Sequence, residues 1–127
     1  MAVVRLDHVN IQTGNLEVMI DWYGSVLGLT QGPRPDFPFP GAWLYAGKHP
    51  VIHLVGMADQ NAVGSEATLK LEHFAFAATD LAGFERALDR LGVPRHRIDL
   101  KAAALVQYHL RDPDGNHVHV DFEEDEA

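Results

Sequence analysis

The chain repeats itself about halfway along, and the regularity of that repeat limits what it can fold into. His8 and His73, Leu16 and Leu81, and Tyr23 and Leu88 are all separated by the same interval, and His53 and His119 by one position more. Self-similarity of this kind marks two copies of one supersecondary unit. Neither copy is long enough to bury both faces of its own sheet, so the two are expected to share one structure.

Each copy reads as a strand, a helix and then about three strands. Val3 to Ile11 alternates and is rich in β-branched residues, which predicts a strand. With Val9 and Ile11 on one face, Leu6, His8 and Asn10 take the other. Thr13 or Asn15 can cap the helix that follows. In it Leu16, Met19, Ile20, Tyr23 and Leu27 form one apolar stripe, ended by Gly28. The prolines Pro33, Pro35, Pro38 and Pro40 predict an irregular loop. Strands follow at Ala42 to Ala46 and Val51 to Val55, joined by a turn at Gly47 to Pro50. Gly56 to Thr68 is polar and small, and reads as a linker.

The pattern then restarts. Leu69 to Ala77 is a strand, and Asp80 caps a helix carrying Leu81, Phe84, Leu88 and Leu91, ended by Gly92. A short strand near Arg97 to Leu100 precedes a hairpin from Leu105 to Phe122 around Asp112-Pro113-Asp114-Gly115-Asn116, a strong turn signal. The fold class is therefore α+β. Paired βαβββ modules, at about residues 3–57 and 69–124, form a curved mixed sheet of eight strands around a cavity, within a single domain of residues 1–127.

Composition narrows the function. The formal net charge is −8, much of it between Asp121 and Glu126, which would repel a polyanionic backbone; no nucleic-acid partner is expected. No segment is apolar and long enough to span a bilayer, and the first residues carry no signal-peptide core, so no membrane partner and a cytoplasmic location are expected. With no cysteine there is no disulfide, no thiolate ligand and no thiol nucleophile. There is no phosphate-binding glycine loop and no supported Ser-His-Asp arrangement.

Eight histidines in 127 residues is the unusual feature. Four of them are repeat-matched: His8 and His73 on the first strands, His53 and His119 on the last. Ile52 and Leu54 flank His53, and Val118 and Val120 flank His119. Those apolar neighbours belong under the helices, which turns the histidines to the opposite face. Four imidazoles converging there make a site for a borderline divalent metal such as zinc, iron(II), nickel, cobalt or copper. His49, His96 and His109, in turns or without a histidine mate, read as satisfied by hydrogen bonds, and His117, beside the turn, as a rim residue.

The chain resembles the vicinal oxygen chelate superfamily, which includes glyoxalase I, the fosfomycin- and bleomycin-resistance proteins and the extradiol dioxygenases. The resemblance covers essentially the whole chain. It rests on Leu6-Asp7-His8-Val9, Trp22-Tyr23, Leu27-Gly28-Leu29, Glu72-His73-Phe74-Ala75-Phe76, and the turn from Asp112 to Asn116 with its following strand. It implies paired βαβββ modules around a metal-lined cavity. It also implies His8 and His73 as first-strand ligands, and His53 and His119 where relatives often place glutamates. The missing carboxylate at His119 departs from both the glyoxalase and the dioxygenase patterns. An all-imidazole site leaves the metal charge uncompensated and favours anionic oxygen ligands, which is Lewis-acid chemistry on adjacent oxygens.

The expected function is thus a metal-dependent enzyme of glyoxalase or dioxygenase type, acting on a small molecule with adjacent oxygens. The ligands expected are His8, His73 and His119, with His53 as a fourth ligand or as the proton-transfer residue. Arg34, Trp43 and Tyr108 are candidate substrate contacts. The alternative is a metal-free sequestration protein of the bleomycin-resistance type. An open sheet edge and a half-open trough predict a homodimer.

Overall fold

The computed structural model describes residues 1–2, 4–58 and 71–127. The greater part of the expected linker between Gly56 and Thr68 lies outside the described residues. The chain divides into two compact units, Met1–Gly64 and Ser65–Ala127.

In the first unit β1 (Val9–Thr13) leads to α1 (Leu16–Ser25), then β2 (Thr30–Gly32), β3 (Gly41–Ala46) and β4 (His49–Gly56). The sheet runs in the order β1-β4-β3-β2, with β1 parallel to β4 and the other pairs antiparallel. A parallel pair needs a long crossover, and the helix lies within that connection. Met19 and Tyr23 of the helical stripe are fully buried, along with Ala42, Leu44, Ile52 and Leu54 of the sheet. The helix ends at Ser25, and beyond it Gly28, at φ +72°, lets Leu29 N–H donate to the Tyr23 carbonyl at 3.0 Å. Of the two candidate N-caps, Thr13 contributes, its hydroxyl accepting from Asn15 N–H at 2.9 Å.

The second unit repeats this plan. It contains β5 (Phe74–Ala77), α2 (Leu81–Leu91), β6 (His96–Leu100), β7 (Leu105–Arg111) and β8 (His117–Glu123), in the sheet order β5-β8-β7-β6. Asp80 caps α2 by accepting from Gly83 N–H at 3.1 Å, and Gly92 ends it in the left-handed conformation. Phe84 of α2 meets Tyr108 and Phe122 of the sheet. Leu81, Leu88, Val106, Leu110, Val118, Val120 and Phe122 complete this core. No helix among the described residues is long and apolar enough to cross a membrane.

The paired α+β modules agree with the sequence reading, with four differences of detail. The strands form two sheets of four rather than one ladder of eight. A short β2, not read from the sequence, pairs with β3. Leu91, expected on the buried stripe of α2, is 42% exposed because it is the last residue of the helix. The first strand of each unit begins late, at Val9 and Phe74. Alternation detects a segment able to form a strand, but a strand also needs a partner, and among the described residues none pairs with residues 4–8 or 71–73. Val4, Leu6 and Leu71 are left 83%, 79% and 61% exposed.

The turn from Asp112 to Asn116 positions the site. Asp112 is buried, and its carboxylate accepts from Asp114 N–H, Asn116 N–H and the Asn116 side-chain amide at 2.8–3.0 Å. Gly115, at φ +88°, closes the loop. The result pairs Arg111 with His117 and His109 with His119. Since three charge-assisted bonds converge on one buried carboxylate, Asp112→Ala is expected to cost about 2–3 kcal/mol in urea unfolding, against less than about 0.5 kcal/mol for the exposed Asp125→Ala.

Candidate metal centre

Each sheet has a helix-packed face and an opposite face, and the histidines collect on the second. In β4 the buried residues Ile52 and Leu54 alternate with His53; in β8 Val118, Val120 and Phe122 alternate with His117, His119 and Asp121. The sequence reading of these faces is therefore correct.

In the first unit His8 stacks on His53, with ring centroids 3.8 Å apart and planes 10° from parallel. In the second, His73 stacks on His119 at 3.9 Å and 12°. The repeat thus extends from spacing to ring geometry. A third ring adds to each stack through the cross-strand partner. Trp43 lies on His53 at 4.0 Å, and His109 lies against His119 at 3.8 Å. Trp43 and His109 are themselves separated by the same interval as His53 and His119.

The second unit goes further. His73, His117 and His119 each offer a ring nitrogen, and these three atoms lie within 4.8 Å of one another. His117 Nε2 is 3.0 Å from His119 Nε2 and 3.2 Å from His109 Nδ1. Metal–nitrogen bonds of about 2.0–2.1 Å in a tetrahedral set place neighbouring nitrogens about 3.3 Å apart, so this spacing suits shared coordination. Glu72 contacts Nδ1 of both His73 and His117, at 3.1 Å for the latter. A carboxylate on Nδ1 fixes the tautomer and turns the Nε2 lone pair outward, the usual outer-shell support of a metal-bound histidine. Asp7 contacts His8 Nδ1 in the same way at 2.8 Å, and Asp7 is the repeat mate of Glu72, just as His8 is of His73.

The electrostatics suit a neutral donor set. Burial, reinforced by His109, His73 and His117, holds the His119 imidazole down at about 4. Burial and His117 likewise lower His109, and burial and His8 lower His53. The bond to His73 lowers Glu72. His119 is buried, and its Nδ1 and the Asp121 Oδ1 beyond it have no hydrogen-bond partner. Nitrogen donors kept neutral, one of them with an orphaned buried ring nitrogen, fit a borderline divalent cation.

The other residues named from the sequence fall differently. Trp43 joins the His53 stack. Arg34 is held within its own loop, where it donates to the Phe39 carbonyl at 3.1 Å and lies over the Phe37 and Phe39 rings. Tyr108 is not brought to the histidine face. It is buried under α2 between Val106 and Leu110, its hydroxyl donating to Glu85. His117 and His109, which the sequence left at the rim or among the satisfied residues, stand inside the cluster. Their repeat mates, Val51 and Trp43, carry the positional signal, but neither is a histidine, so matching by residue type does not single them out.

Comparison with known proteins agrees with this architecture. The family model for the Glyoxalase/Bleomycin resistance protein/Dioxygenase superfamily matches residues 5–120, and the chain belongs to that superfamily. Among solved structures, a glyoxalase/bleomycin resistance protein/dioxygenase domain from Frankia sp. superposes with a TM-score of 0.79 at 19% identity, covering 96% of this chain and 93% of that one. Lactoylglutathione lyase from Agrobacterium tumefaciens gives 0.71 at 20% identity, covering 98% and 97%. The trypanothione-dependent glyoxalase I of Leishmania major gives 0.67 at 19%, covering 97% and 88%. At these identities the likeness is one of fold. No sequence among the curated proteins matches the chain.

The lowered histidines make metal-free stability depend on pH. Below about 6.5 the unfolded chain binds protons that His119 refuses until about 4, so stability falls as the pH drops through that window. Urea unfolding of chelator-treated protein at pH 7, 6, 5 and 4 is expected to show this loss. His119→Asn, which removes the suppressed titration, is expected to show a shallower one.

Proposed function

We propose that the protein is a metal-dependent enzyme of glyoxalase or dioxygenase type acting on a small molecule with adjacent oxygens. The observation that carries this reading is the His73–His117–His119 group, in a superfamily fold, with Glu72 behind two of its members. These three imidazoles would hold zinc, iron(II), nickel or cobalt. The bound ion supplies Lewis acidity, polarising adjacent oxygens and stabilising negative charge that develops on them.

The chain's own residues supply orientation and proton transfer. Glu72 turns His73 and His117, while His109 packs against His119 and keeps water from one side of it. His53 is the proposed proton-transfer residue. Its Nε2 donates to the Pro50 carbonyl at 3.1 Å in the tautomer that leaves Nδ1 as the base, and its lowered pKa keeps it neutral at pH 7. Trp43, stacked on His53, is the proposed substrate contact of this unit. Arg34 is another, its guanidinium ordered by the Phe39 carbonyl. The other half of the four-histidine set, His8 and His53, stack on each other in the first unit as His73 and His119 do in the second. His8 and His53 stay proposed beside the second-unit group, His8 as a ligand and His53 as a fourth ligand or as the proton-transfer residue. A homodimer is proposed as well, on the exposed apolar residues Val4, Leu6 and Leu71 next to the edge strands β1 and β5.

Metal titration of the chelator-stripped protein tests the site. The parent is expected to bind one equivalent of zinc, nickel or cobalt. His119→Ala and His117→Ala are expected to weaken binding about 100-fold or more, and Glu72→Gln about 10-fold, the usual outer-shell effect. His8→Ala tells the two ligand sets apart: weakened binding counts His8 among the ligands, and binding as the parent does leaves the second-unit group alone. His53→Ala is expected to keep metal and lose turnover. A parent that binds no divalent metal would favour sequestration without chemistry.

Sedimentation at micromolar concentration is expected to show a dimer, and a monomer there would remove that part of the reading.

A further inference from the structure

Next to the histidine cluster, on the second unit, lies a cavity of about 500 Å³, within the range of small-molecule sites. Its wall is formed where β6 begins, β7 ends and β8 starts, and it includes Arg95, His96, His109, Arg111 and His117. Every ionisable side chain in that wall is basic, in a chain whose net charge is −8. Arg95 shares its charge with Asp89 and His117 contacts Glu72, so what the wall offers an anion is the guanidinium donors of Arg95 and Arg111 rather than an unopposed field.

The two arginines are positioned by neighbours. Arg95 is tied to Asp89 and donates to the Val93 carbonyl at 3.2 Å, and Arg111 donates to the Gly115 carbonyl at 3.2 Å. Ordered guanidiniums present a planar set of donors that matches a carboxylate or phosphate. The cavity is also continuous with the cluster, because two of its residues belong to both. His109 lies against His119, and His117 Nε2 is 3.0 Å from His119 Nε2. A molecule seated here meets guanidiniums at one end and the imidazole donors at the other.

We infer that this cavity is the anion subsite of the proposed active site, and that the substrate is a small organic acid whose carboxylate or phosphate group is held by Arg111 with Arg95 beside it. This deepens the reading of the cluster as a metal site, but it is testable without metal. The probes are malonate and inorganic phosphate, titrated separately into the chelator-dialysed full chain at pH 7.5 and followed by calorimetry and amide chemical shifts.

At least one probe is expected to bind saturably, with a millimolar or lower dissociation constant, and whichever binds more tightly identifies the group. Arg111→Gln keeps a donor for the Gly115 carbonyl but removes the charge, and it is expected to weaken binding tenfold or more. Arg86→Gln, on the exposed side of α2, is expected to bind as the parent does. If Arg111→Gln does not melt like the parent, Arg95→Gln is read in its place by the same criterion. No saturable binding of either probe, or unchanged binding by the arginine variant that is read, overturns the proposal. Zinc titration of the same variant is expected to match the parent, so failure of the anion subsite and failure of the metal site are separately visible.

Discussion

Each sheet here has one helix, and one helix covers one face. Side chains alternate across a strand, so this constraint sorts every second residue of β4, β7 and β8 into a packed core and sends the rest to the opposite face. Ile52 and Leu54 under α1, and Val118, Val120 and Phe122 on the helix side of the second sheet, anchor the sorting. Slipping β8 by one residue would bury His117 and His119 under α2 and expose those valines, at a cost of several kcal/mol in lost apolar burial and unpaired imidazoles. The histidine cluster therefore exists because the core on the other side holds the register.

The two copies share one plan and differ in chemistry. Both keep a stacked histidine pair with a carboxylate on the ring that immediately precedes the first strand: Asp7, His8 and His53 in one, Glu72, His73 and His119 in the other. They part where Trp43 and Val51 of the first copy correspond to His109 and His117 of the second. Those two exchanges turn an aromatic stack into a donor group. Burial is the first cause of the His119 pKa of about 4, and the rings of His109, His73 and His117 add to it. His119 is buried on the side of the sheet away from the helix, under rings that would each become cationic if protonated.

A donor set of neutral imidazoles also shapes what the site accepts. With no carboxylate among His73, His117 and His119, a divalent ion held there would keep its full charge, and anionic oxygens would be its natural partners. The cavity beside the cluster carries the Arg95 and Arg111 guanidiniums, whose donors suit the same anions. Tyr108 lies away from the histidine face, its hydroxyl donating to Glu85 beneath the helix, where Arg97 also donates to Glu85 at 3.1 Å.

Much of this is legible in the order of amino acids alone. The spacing between repeats, the glycine and aspartate caps, the turn at Asp112 and the alternation around His53 and His119 are local properties of the chain. They determine which elements form and which face each residue takes. Tyr108, read from the sequence as a candidate substrate contact, shares the buried face of Val106 and Leu110 instead. What alternation cannot supply is the neighbour across a ladder. His109 meets His119, and Trp43 meets His53, because hydrogen-bonded pairing and turn geometry set the register. Residues before Val9 stay outside any ladder among the described residues, because β-branched content does not create a partner strand. The sequence by itself determined the repeat, the elements and the histidine faces. Only the tertiary structure decided that His117 and His109 join the cluster, because contact between strands depends on pairing between residues far apart in the chain.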